Sequence, residues 1–497
     1  MLLSELFAIP GLRGRALRPM PAVEIDRVCD NSRVVKRGDL FVAVEGMVSD
    51  GHDYLFCAYE SGCRAFVVQE EKILLPEDAF VYLAEDSREA LALLSAKILG
   101  NPANRLTLIG ITGTKGKTTT ALMLTEILCR AGIRAGYIGS NGVRYADVSL
   151  PDTKNTTPGS AELQSYLSDM AAHGVTHAVL EVSSQALYLK RVFGLTFPVT
   201  VFTNLAPDHI GGAEHPTFEH YKACKRSLFF DYGTETVVYN ADDPHAPDML
   251  PPGVPAVSVS MAGRGDYTAS AVRFEKRDGY LGTGADCSLA GKDRSLSLRL
   301  PGRFNVSNAL TAIAAAKALG VDEDVSLAAL ASVTVKGRFE CVPLADDRYF
   351  VIDFAHNGLA LRSVLAALKE YGPRRLICLF GSVGGRTRGR RRDLGDAAAE
   401  ACDLAILTAD DPDFEPPEEI IADILPSFEG SACAVVSIPD RREAIRWAAE
   451  RSRPGDVVLL AGKGHEDYQL VRGKRLPFSE REILLSCKDL LSAAPVN

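Results

Sequence analysis

The chain has 497 residues, 46% of them hydrophobic and 24% charged, and its 55 Lys and Arg against 64 Asp and Glu give a net charge of −9. This composition is typical of a soluble globular protein with several cores, and it excludes a disordered or fibrous chain. The acidic balance argues against a general binder of nucleic acid or anionic membranes, so we expect neither partner. Eleven scattered cysteines indicate a reducing, cytoplasmic location without a disulfide framework.

The N-terminal region alternates strand-like and helix-like stretches as far as residue 102, and the Asn-Pro step at Asn101 indicates a linker. No apolar run approaches the roughly 20 residues that a membrane-spanning helix needs. The first residues lack the basic region of a signal peptide, so we expect a mature cytoplasmic start.

Two further sets of strands and helices follow this region. Apolar runs at 177–184, 198–205 and 236–243, separated by helical segments, predict a parallel sheet covered on both faces. Another alternating set begins near residue 338 and predicts a smaller doubly wound domain.

The predicted fold class is therefore α/β with three domains. We place a small N-terminal domain at 1–102, a central parallel-sheet domain at 103–336 and a Rossmann-like C-terminal domain at 337–497.

The strongest local motif is Gly110-Ile-Thr-Gly113-Thr-Lys-Gly116-Lys117-Thr118-Thr119, between a predicted strand and a predicted helix. Backbone N–H groups of such a loop bind phosphate oxygens, Lys117 would reach the terminal phosphates, and the Thr118 hydroxyl would bind Mg²⁺. Ile111 replaces the first glycine of a strict P-loop, and the alternative is a glycine turn with an unrelated lysine. The flanking strand and helix favour the phosphate site.

This loop resembles the ATP loop of the Mur ligases and of their folylpolyglutamate synthase relatives. Further motifs occur in the order found in that family: Asp30-Asn-Ser32-Arg33, Gly38-Asp-Leu-Phe41, Asp50-Gly-His52, Lys154-Asn155-Thr156-Thr157-Pro158, Glu181-Val-Ser-Ser-Gln185, Phe202-Thr-Asn-Leu205, Asp208-His209, Asn240-Ala-Asp-Asp243, Gly302-Arg-Phe-Asn305-Val-Ser-Asn308, Gly337-Arg-Phe-Glu340, Asp353-Phe-Ala-His356-Asn357 and Gly462-Lys-Gly-His-Glu466-Asp-Tyr-Gln469. The resemblance covers nearly the whole chain, and its first three motifs are those of the MurE-type first domain.

The resemblance implies an ATP-dependent amide ligase. Such an enzyme adds a diamino acid to the D-Glu of UDP-MurNAc-L-Ala-D-Glu through an acyl phosphate, in cytoplasmic synthesis of the peptidoglycan precursor. The implied domain roles are UDP-sugar binding, ATP binding and amino-acid binding, in chain order. The implied partners are the UDP-sugar-dipeptide, ATP and a free diamino acid, and we expect a monomer.

The resemblance also implies the ATP and metal sites. The ATP contacts are Gly113, Thr114, Lys115, Gly116, Lys117, Thr118, Thr119, Asn305, Arg338, Asp353 and His356. The Mg²⁺ ligands are Thr118, Glu181, His209 and Lys225, the last as a carbamate formed from CO₂, and Lys117, Lys225, Glu181 and His209 are the catalytic set. Carbamylation needs a neutral amine, which a desolvated lysine supplies.

Plainer roles exist for several of these residues. Glu181 and His209 would otherwise be a capping glutamate and a loop histidine, and Asn305 would be an N-cap. Lys222 is the neighbour that competes with Lys225 as the modified lysine. Gly358 stands where the family has proline, and we expect a looser loop there.

The UDP-sugar contacts implied by the resemblance are Ser32, Asn155, Thr156, Thr157, Ser183 and Arg191. Gln185 stands where histidine is common, and Leu189 where a glutamine can contact the nucleotide substrate. Individual contacts of the family are therefore absent from this sequence.

The amino-acid site implied by the resemblance comprises Arg386, Asp410, Asp411, Asp413, Gly462 and Glu466. Family members that add meso-diaminopimelate carry Asp-Asn-Pro-Arg in this loop, and the Arg clamps the distal carboxylate. This chain has Asp410-Asp411-Pro412-Asp413, which would repel that carboxylate and attract a distal ammonium. Arg386 would hold the α-carboxylate, unless its basic loop is only a solvated turn.

We therefore predict L-lysine as the added amino acid. Meso-diaminopimelate and ornithine are the alternatives for the same ligase. The other hypotheses are a folylpolyglutamate-type ligase and a non-enzymatic nucleotide-binding regulator.

Overall fold

A computed structural model describes residues 1–47, 49–71, 75–150, 153, 155–208, 210–211, 214–277, 279–345, 347–385 and 388–488. The chain forms two compact units, residues 1–259 with 311–322 and residues 260–310 with 323–497. Among the described helices, none is long and apolar enough to cross a membrane.

The first unit begins with a five-stranded sheet. Its elements are α1 (Leu3–Phe7), β1 (Gly14–Ala16), β2 (Arg27–Cys29), β3 (Asp39–Val42), α2 (Leu55–Glu60), β4 (Ala65–Val68), β5 (Phe80–Ala84) and α3 (Ser87–Ile98). The strand order is β1-β5-β4-β3-β2, and all pairs except β1–β5 are parallel. Helix α3 begins where the Asp86 carboxylate accepts hydrogen bonds from the amides of Arg88 and Glu89.

The second sheet of this unit carries the glycine loop. Its elements are β6 (Thr107–Thr112), α4 (Lys117–Arg130), β7 (Ala135–Gly139), β8 (Gly142–Tyr145), β9 (Val148–Leu150), α5 (Ser160–Ala172), β10 (His177–Glu181), α6 (Ser184–Tyr188), β11 (Val199–Phe202), α7 (Phe218–Asp231), β12 (Thr236–Asn240) and β13 (Ala256–Ser260). The strand order is β13-β12-β11-β6-β10-β7-β8-β9, parallel from β13 to β7 with an antiparallel edge. The predicted parallel sheet is confirmed, whereas the short β8–β9 edge was not predicted.

The second unit contains three antiparallel strands, β14 to β16, and a six-stranded, mostly parallel sheet. Its elements are β14 (Tyr267–Arg277), β15 (Tyr280–Leu289), β16 (Lys292–Leu298), α9 (Glu323–Leu330), β17 (Glu340–Ala345), β18 (Arg348–Asp353), α10 (Gly358–Lys369), β19 (Leu376–Phe380), α11 (Arg388–Ala401), β20 (Leu404–Leu407), α12 (Pro417–Ile424), β21 (Ala434–Ser437), α13 (Arg441–Arg451), β22 (Val457–Ala461), β23 (Tyr468–Val471), β24 (Lys474–Pro477) and α14 (Glu480–Ser486). Helix α8 (Arg303–Ala318) has residues in both units.

The six-stranded sheet has the order β17-β18-β22-β19-β20-β21, and only β17 is antiparallel to its neighbour. Its apolar side chains pack against the flanking helices in two buried clusters, one on each face of the sheet. Neighbouring strand residues alternate between them, so that Val351 belongs to one cluster and Ile352 to the other. This is the predicted doubly wound domain, and the α/β fold class with three sheet-containing domains is confirmed. The boundaries at 102/103 and 336/337 stay predictions.

Candidate active site

The glycine loop follows the central strand β6, whose neighbours β10 and β11 end at the same edge of the sheet. Loops after adjacent parallel strands meet at this edge, which is where ligands bind in such sheets. Gly113 has φ 153°, and a Cβ there would lie 1.9 Å from the Thr203 hydroxyl oxygen. Only glycine fits this position, because the loop packs directly against the segment after β11.

Two lysines meet at this loop. The Lys117 ammonium donates to the Gly113 carbonyl at 2.9 Å and to the Thr114 carbonyl at 3.2 Å. Lys225, from α7, donates to the same Gly113 carbonyl at 2.9 Å and is 1% exposed. The sequence-predicted pair is thus brought together from positions 108 residues apart.

Burial lowers the pKa of Lys225 well below its ordinary value, and the nearby charge of Lys117 lowers it further. Asp208 acts in the opposite direction with a smaller effect. A lysine with a lowered pKa has the neutral amine that carbamylation requires. Lys222 differs, because hydrogen bonds to Asp248 and Glu219 raise its pKa and hold it as an ammonium.

Glu181 ends β10 and is 1% exposed. One carboxylate oxygen accepts from the Tyr137 hydroxyl at 2.5 Å and from the Ser140 amide at 2.9 Å. The other accepts from the Thr118 hydroxyl at 2.9 Å, at the first turn of α4. A buried carboxylate beside a hydroxyl offers the oxygen ligands that Mg²⁺ prefers, so Thr118 and Glu181 fit the predicted metal site.

Other predicted residues of the ATP loop lie around these groups. Lys115 pairs with Asp208 at 3.0 Å, and the Thr114 hydroxyl lies 3.0 Å from the Tyr221 hydroxyl. Thr119 is buried in α4, and Gly116 has φ 84° immediately before that helix. His209 lies outside the described residues.

The predicted UDP-sugar residues of the second sheet form a partly connected group. The Thr157 hydroxyl donates to the Glu181 carbonyl at 2.8 Å and accepts from the Ser183 amide at 3.0 Å. Arg191 donates to the Thr157 carbonyl at 3.0 Å, and Ser183 caps α6. The Thr156 hydroxyl accepts from Ser140 at 3.1 Å.

The remaining residues predicted for the UDP-sugar are less engaged. Asn155 is exposed, and Ser32 lies in a half-buried turn of the first sheet's domain. His52 is buried, and its ring nitrogens contact Asp50 at 2.6 Å and the Gln69 amide at 3.0 Å. His52 is therefore a buried residue that stabilises the first domain through these contacts.

The second unit brings together the motifs at Gly337 and Gly464. A Cβ on Gly337 would lie 2.0 Å from the His465 amide nitrogen, and one on Gly464 would lie 2.6 Å from the Phe354 Cβ. The Arg338 guanidinium lies 4.8 Å from the centre of the Phe354 ring. These contacts place Arg338 beside the segment from Asp353 to His356.

Asp353 accepts hydrogen bonds from the amides of Phe339 and Ala355, and burial raises its pKa although Arg338 opposes the shift. The His356 ring lies 2.9 Å from the Phe354 carbonyl. Gly358 begins α10 beneath an N-cap hydrogen bond from the Ala360 amide to Asn357. Gly358 is the first residue of α10, and a Cβ there would lie 2.7 Å from the Asp393 carbonyl oxygen, while the expected looseness of this loop stays a prediction.

Asn305 and Asn308 lie within the first turns of α8. The Asn305 side chain donates back to the Pro301 carbonyl at 2.7 Å and accepts from Asn308 at 3.0 Å. Asn305 is therefore inside the helix rather than at its N-cap.

Three residues predicted for the amino-acid site surround a buried lysine that is not among the predicted residues. The Lys463 ammonium donates to Asp411 at 2.7 Å and to Glu466 at 2.6 Å. Burial alone would lower the pKa of Lys463, but the carboxylates of Asp410, Glu466 and Asp411 outweigh it and raise the pKa. The Gly462-Lys463-Gly464 motif is the sequence feature that could have indicated this lysine.

Around this cluster, Gly462 has φ 114°, and a Cβ there would lie 2.3 Å from an Asp410 carboxylate oxygen. Asp413 adopts φ 50° and accepts from the Gly473 amide at 2.6 Å, which joins its loop to the β23–β24 hairpin. Arg441 and Glu480, also missed, form a buried pair at 2.8 Å. Arg386 lies outside the described residues.

The glycine loop after β6, with Glu181 at the end of β10 and Lys225 on α7, has the form of a P-loop domain that binds a nucleotide phosphate. The Mur ligase middle-domain model matches residues 111–316, and the model described as "Mur ligase, glutamate ligase domain" matches residues 337–464.

Full-length relatives carry the likeness across the chain. The protein named UDP-N-acetylmuramoyl-L-alanyl-D-glutamate–2,6-diaminopimelate ligase of Caldanaerobacter subterraneus subsp. tengcongensis is 39% identical over 464 residues, which are 93% of this chain and 95% of that protein. Its namesake in Chlorobaculum tepidum is 40% identical over 470 residues, covering 92% and 91%. A solved structure with the same name has a TM-score of 0.69 at 28% identity and covers 99% of this chain and 100% of its own.

The chain belongs to the Mur ligase family. The family resemblance of the sequence, including its MurE type, is thereby confirmed. The individual site residues and their roles stay predictions.

Proposed function

We propose that this protein is a ligase that uses ATP to join a free diamino acid to the D-Glu carboxylate of UDP-MurNAc-L-Ala-D-Glu. The observation that carries this proposal is the meeting of Lys117 and Lys225 at the Gly113 carbonyl, with Thr118 and Glu181 beside the same loop. The names of the relatives support the same acceptor.

Two chemical steps follow from this arrangement. A carboxylate oxygen of D-Glu attacks the γ-phosphorus of ATP, the bond to the β-phosphate oxygen breaks, and ADP leaves. The neutral amine of the amino acid then attacks the acyl carbon, loses a proton and expels inorganic phosphate. The product is an amide.

The residues of the loop serve the first step. Phosphoryl transfer depends on positioning and on neutralising charge at the transferred group, which the Lys117 ammonium and the loop amides supply. Thr118, Glu181 and carbamylated Lys225 are the described residues that would hold Mg²⁺, which supplies further neutralisation when bound.

L-lysine is the amino acid we propose, and Asp413 is the observation that favours it. The carboxylates of Asp410, Asp411 and Glu466 surround the Lys463 ammonium, and the buried Arg441 guanidinium also acts on Asp410 and Asp411. Asp413 adds a further carboxylate in the adjacent loop. An acidic surrounding favours a distal ammonium over the distal carboxylate of diaminopimelate.

Meso-diaminopimelate is the second candidate, because the relatives that match this chain carry it in their names. A bound diaminopimelate would need a cation for its second carboxylate. Lys463 is such a cation, although two carboxylates already accept its protons.

The test of the ligase is ADP formation with purified protein, ATP, Mg²⁺, UDP-MurNAc-L-Ala-D-Glu and lysine. We expect ADP only when both the UDP-sugar-dipeptide and the amino acid are present. Lys117→Met should abolish it, and Lys292→Met, at the exposed start of β16, should leave it unchanged. ATP binding without ADP formation would instead indicate the nucleotide-binding regulator.

A further inference from the structure

A group of two imidazoles and one thiol lies at the start of α7, outside the residues assigned above. His215 precedes the helix, and His220 and Cys224 lie one turn apart on it. One ligand atom from each of the three lies within 4.8 Å of the others. Residues at i and i+4 share a helix face, so this spacing directs the His220 and Cys224 side chains to the same side.

The distances within this group suit a tetrahedral metal ion. The two Nδ1 atoms of His215 and His220 are 3.0 Å apart, and the Cys224 Sγ is 3.9 Å from the His220 Nδ1. Zinc bonds of about 2.0 Å to nitrogen and about 2.3 Å to sulfur place tetrahedral ligands roughly 3.3 Å (N–N) and 3.6 Å (N–S) apart. The Cys224 Sγ also lies 4.0 Å from the His220 Nε2, so metal binding would require the Cys224 and His220 side chains to rotate towards a common point.

The surroundings orient the rings. The His215 Nε2 lies 2.9 Å from the Ser184 hydroxyl, and His215 is 1% exposed. This outer hydrogen bond leaves the Nδ1 of His215 facing His220, the arrangement by which a second partner orients a metal-binding histidine. The Tyr188 ring packs against both imidazoles, with centroid distances of 6.2 and 4.9 Å.

We propose that His215, His220 and Cys224 bind a divalent transition-metal ion of the zinc class. Nitrogen and sulfur donors select such an ion over Mg²⁺, which prefers oxygen. Three protein ligands leave the fourth tetrahedral position to water. This centre is separate from the oxygen-rich Thr118–Glu181 site.

The proposed centre would fix the segment that leads into the lysine-bearing helix. The Tyr221 ring lies 5.2 Å from the His215 ring, and the Lys225 ammonium lies 4.6 Å from the Tyr221 ring centre. A metal at His215 would therefore restrain Tyr221 and, through it, the surroundings of Lys225.

The experiment is zinc titration of the full-length, metal-free protein by calorimetry in the presence of excess Mg²⁺. We expect one equivalent of Zn²⁺ to bind with a Kd below 1 μM. His220→Ala and Cys224→Ser should each weaken binding at least tenfold. Cys129→Ser, at the exposed end of α4, is the matched control and should bind like the unmodified protein.

Cobalt absorption supplies the second measurement, because a thiolate ligand gives a sulfur-to-cobalt charge-transfer band. The band should be present in the unmodified and Cys129→Ser proteins and absent in Cys224→Ser. Circular dichroism shows whether each variant is folded, and His220→Ala keeps the test decisive if Cys224→Ser is not. Failure of the unmodified protein to bind zinc, undiminished binding by the variants, or displacement of zinc by Mg²⁺ would each overturn the proposal.

Discussion

Lys117 and Lys225 donate to one carbonyl oxygen, that of Gly113, each at 2.9 Å. Two ammonium groups at one acceptor repel each other, and the buried member is the one that loses its proton more easily. We therefore propose different roles for the two lysines: Lys117 would contact phosphate, and Lys225 would offer a neutral amine.

We predict that CO₂ modifies Lys225 and leaves Lys222 unmodified. Labelling with ¹³CO₂ should give one carbamate resonance in the carbon NMR spectrum of the intact protein. Lys225→Met should abolish this resonance. Lys222→Met is the matched control on the same helix, since that lysine is paired with Asp248 and Glu219, and it should retain the signal. Loss of the signal in Lys222→Met but not in Lys225→Met would place the carbamate on Lys222 and contradict the prediction.

The stability of the protein should depend on pH through Lys225. Between its lowered folded pKa and about pH 10.4, the unfolded chain binds a proton that the folded chain does not, so stability rises with pH. Lys225→Met removes the amine and with it the free-energy cost of deprotonating this lysine on folding. In CO₂-depleted buffer this variant should be more stable than the unmodified protein at pH 7.

The stability gap between these two proteins should close as the pH approaches 10, where the unfolded lysine also loses its proton. Urea unfolding at several pH values measures both trends. A constant difference across this range would mean that Lys225 does not titrate between the folded and unfolded states.

Tyr137→Phe should weaken Mg²⁺ binding at the proposed site while keeping the buried aromatic ring. The substitution removes only the hydroxyl that donates to Glu181 at 2.5 Å, a hydrogen bond to a charged group worth about 1.5–3 kcal/mol. We expect the Mg²⁺ concentration for half-maximal ADP formation to rise several-fold. Tyr239→Phe, on β12, is the control and should leave it unchanged. An unaltered Mg²⁺ dependence in Tyr137→Phe would separate this hydroxyl from the metal site.

Lys463→Met should destabilise the second unit strongly. It leaves Asp411 and Glu466 without their shared ammonium, and removing one partner of a buried ion pair costs about 3–5 kcal/mol. Thermal unfolding measures the loss, with Lys474→Met at the exposed hairpin as control. Equal melting temperatures for the two variants would show that the carboxylates accommodate the loss by protonation.

Asp413→Arg should move amino-acid use from lysine towards meso-diaminopimelate. The substitution replaces a carboxylate by the group that pairs bidentately with carboxylates. It also loses the Gly473 hydrogen bond and places an arginine at φ 50°, so the melting temperature must be measured alongside. Asp293→Arg, at an exposed position of β16, controls for added charge. Unchanged ratios of kcat/KM for the two amino acids would make Asp413 only a turn residue.

The sequence was informative where one local pattern determines the structure. The Gly113–Lys117 loop, the parallel strands and the start of α4 follow from glycine spacing and apolar runs. The three-residue strands β1 and β2 are too short to carry such a pattern, and the edge hairpin of β8 and β9 was missed with them.

Partners that meet only through the fold were beyond the sequence. Tyr137 reaches Glu181 across 44 residues, and Arg441 reaches Glu480 across 39. Lys463 lies inside a motif that was singled out, yet its partner Asp411 is 52 residues away. Local spacing shows that a polar residue follows a strand, but neighbouring strands decide which groups it meets.

The central claim is tested most directly by the mass of the product formed from ATP, UDP-MurNAc-L-Ala-D-Glu and an equimolar mixture of lysine, ornithine and meso-diaminopimelate. We expect a UDP-sugar-tripeptide whose added mass is that of lysine less one water. A product carrying only diaminopimelate would retain the ligase and contradict the role given to Asp413. The absence of any tripeptide product would contradict the ligase itself.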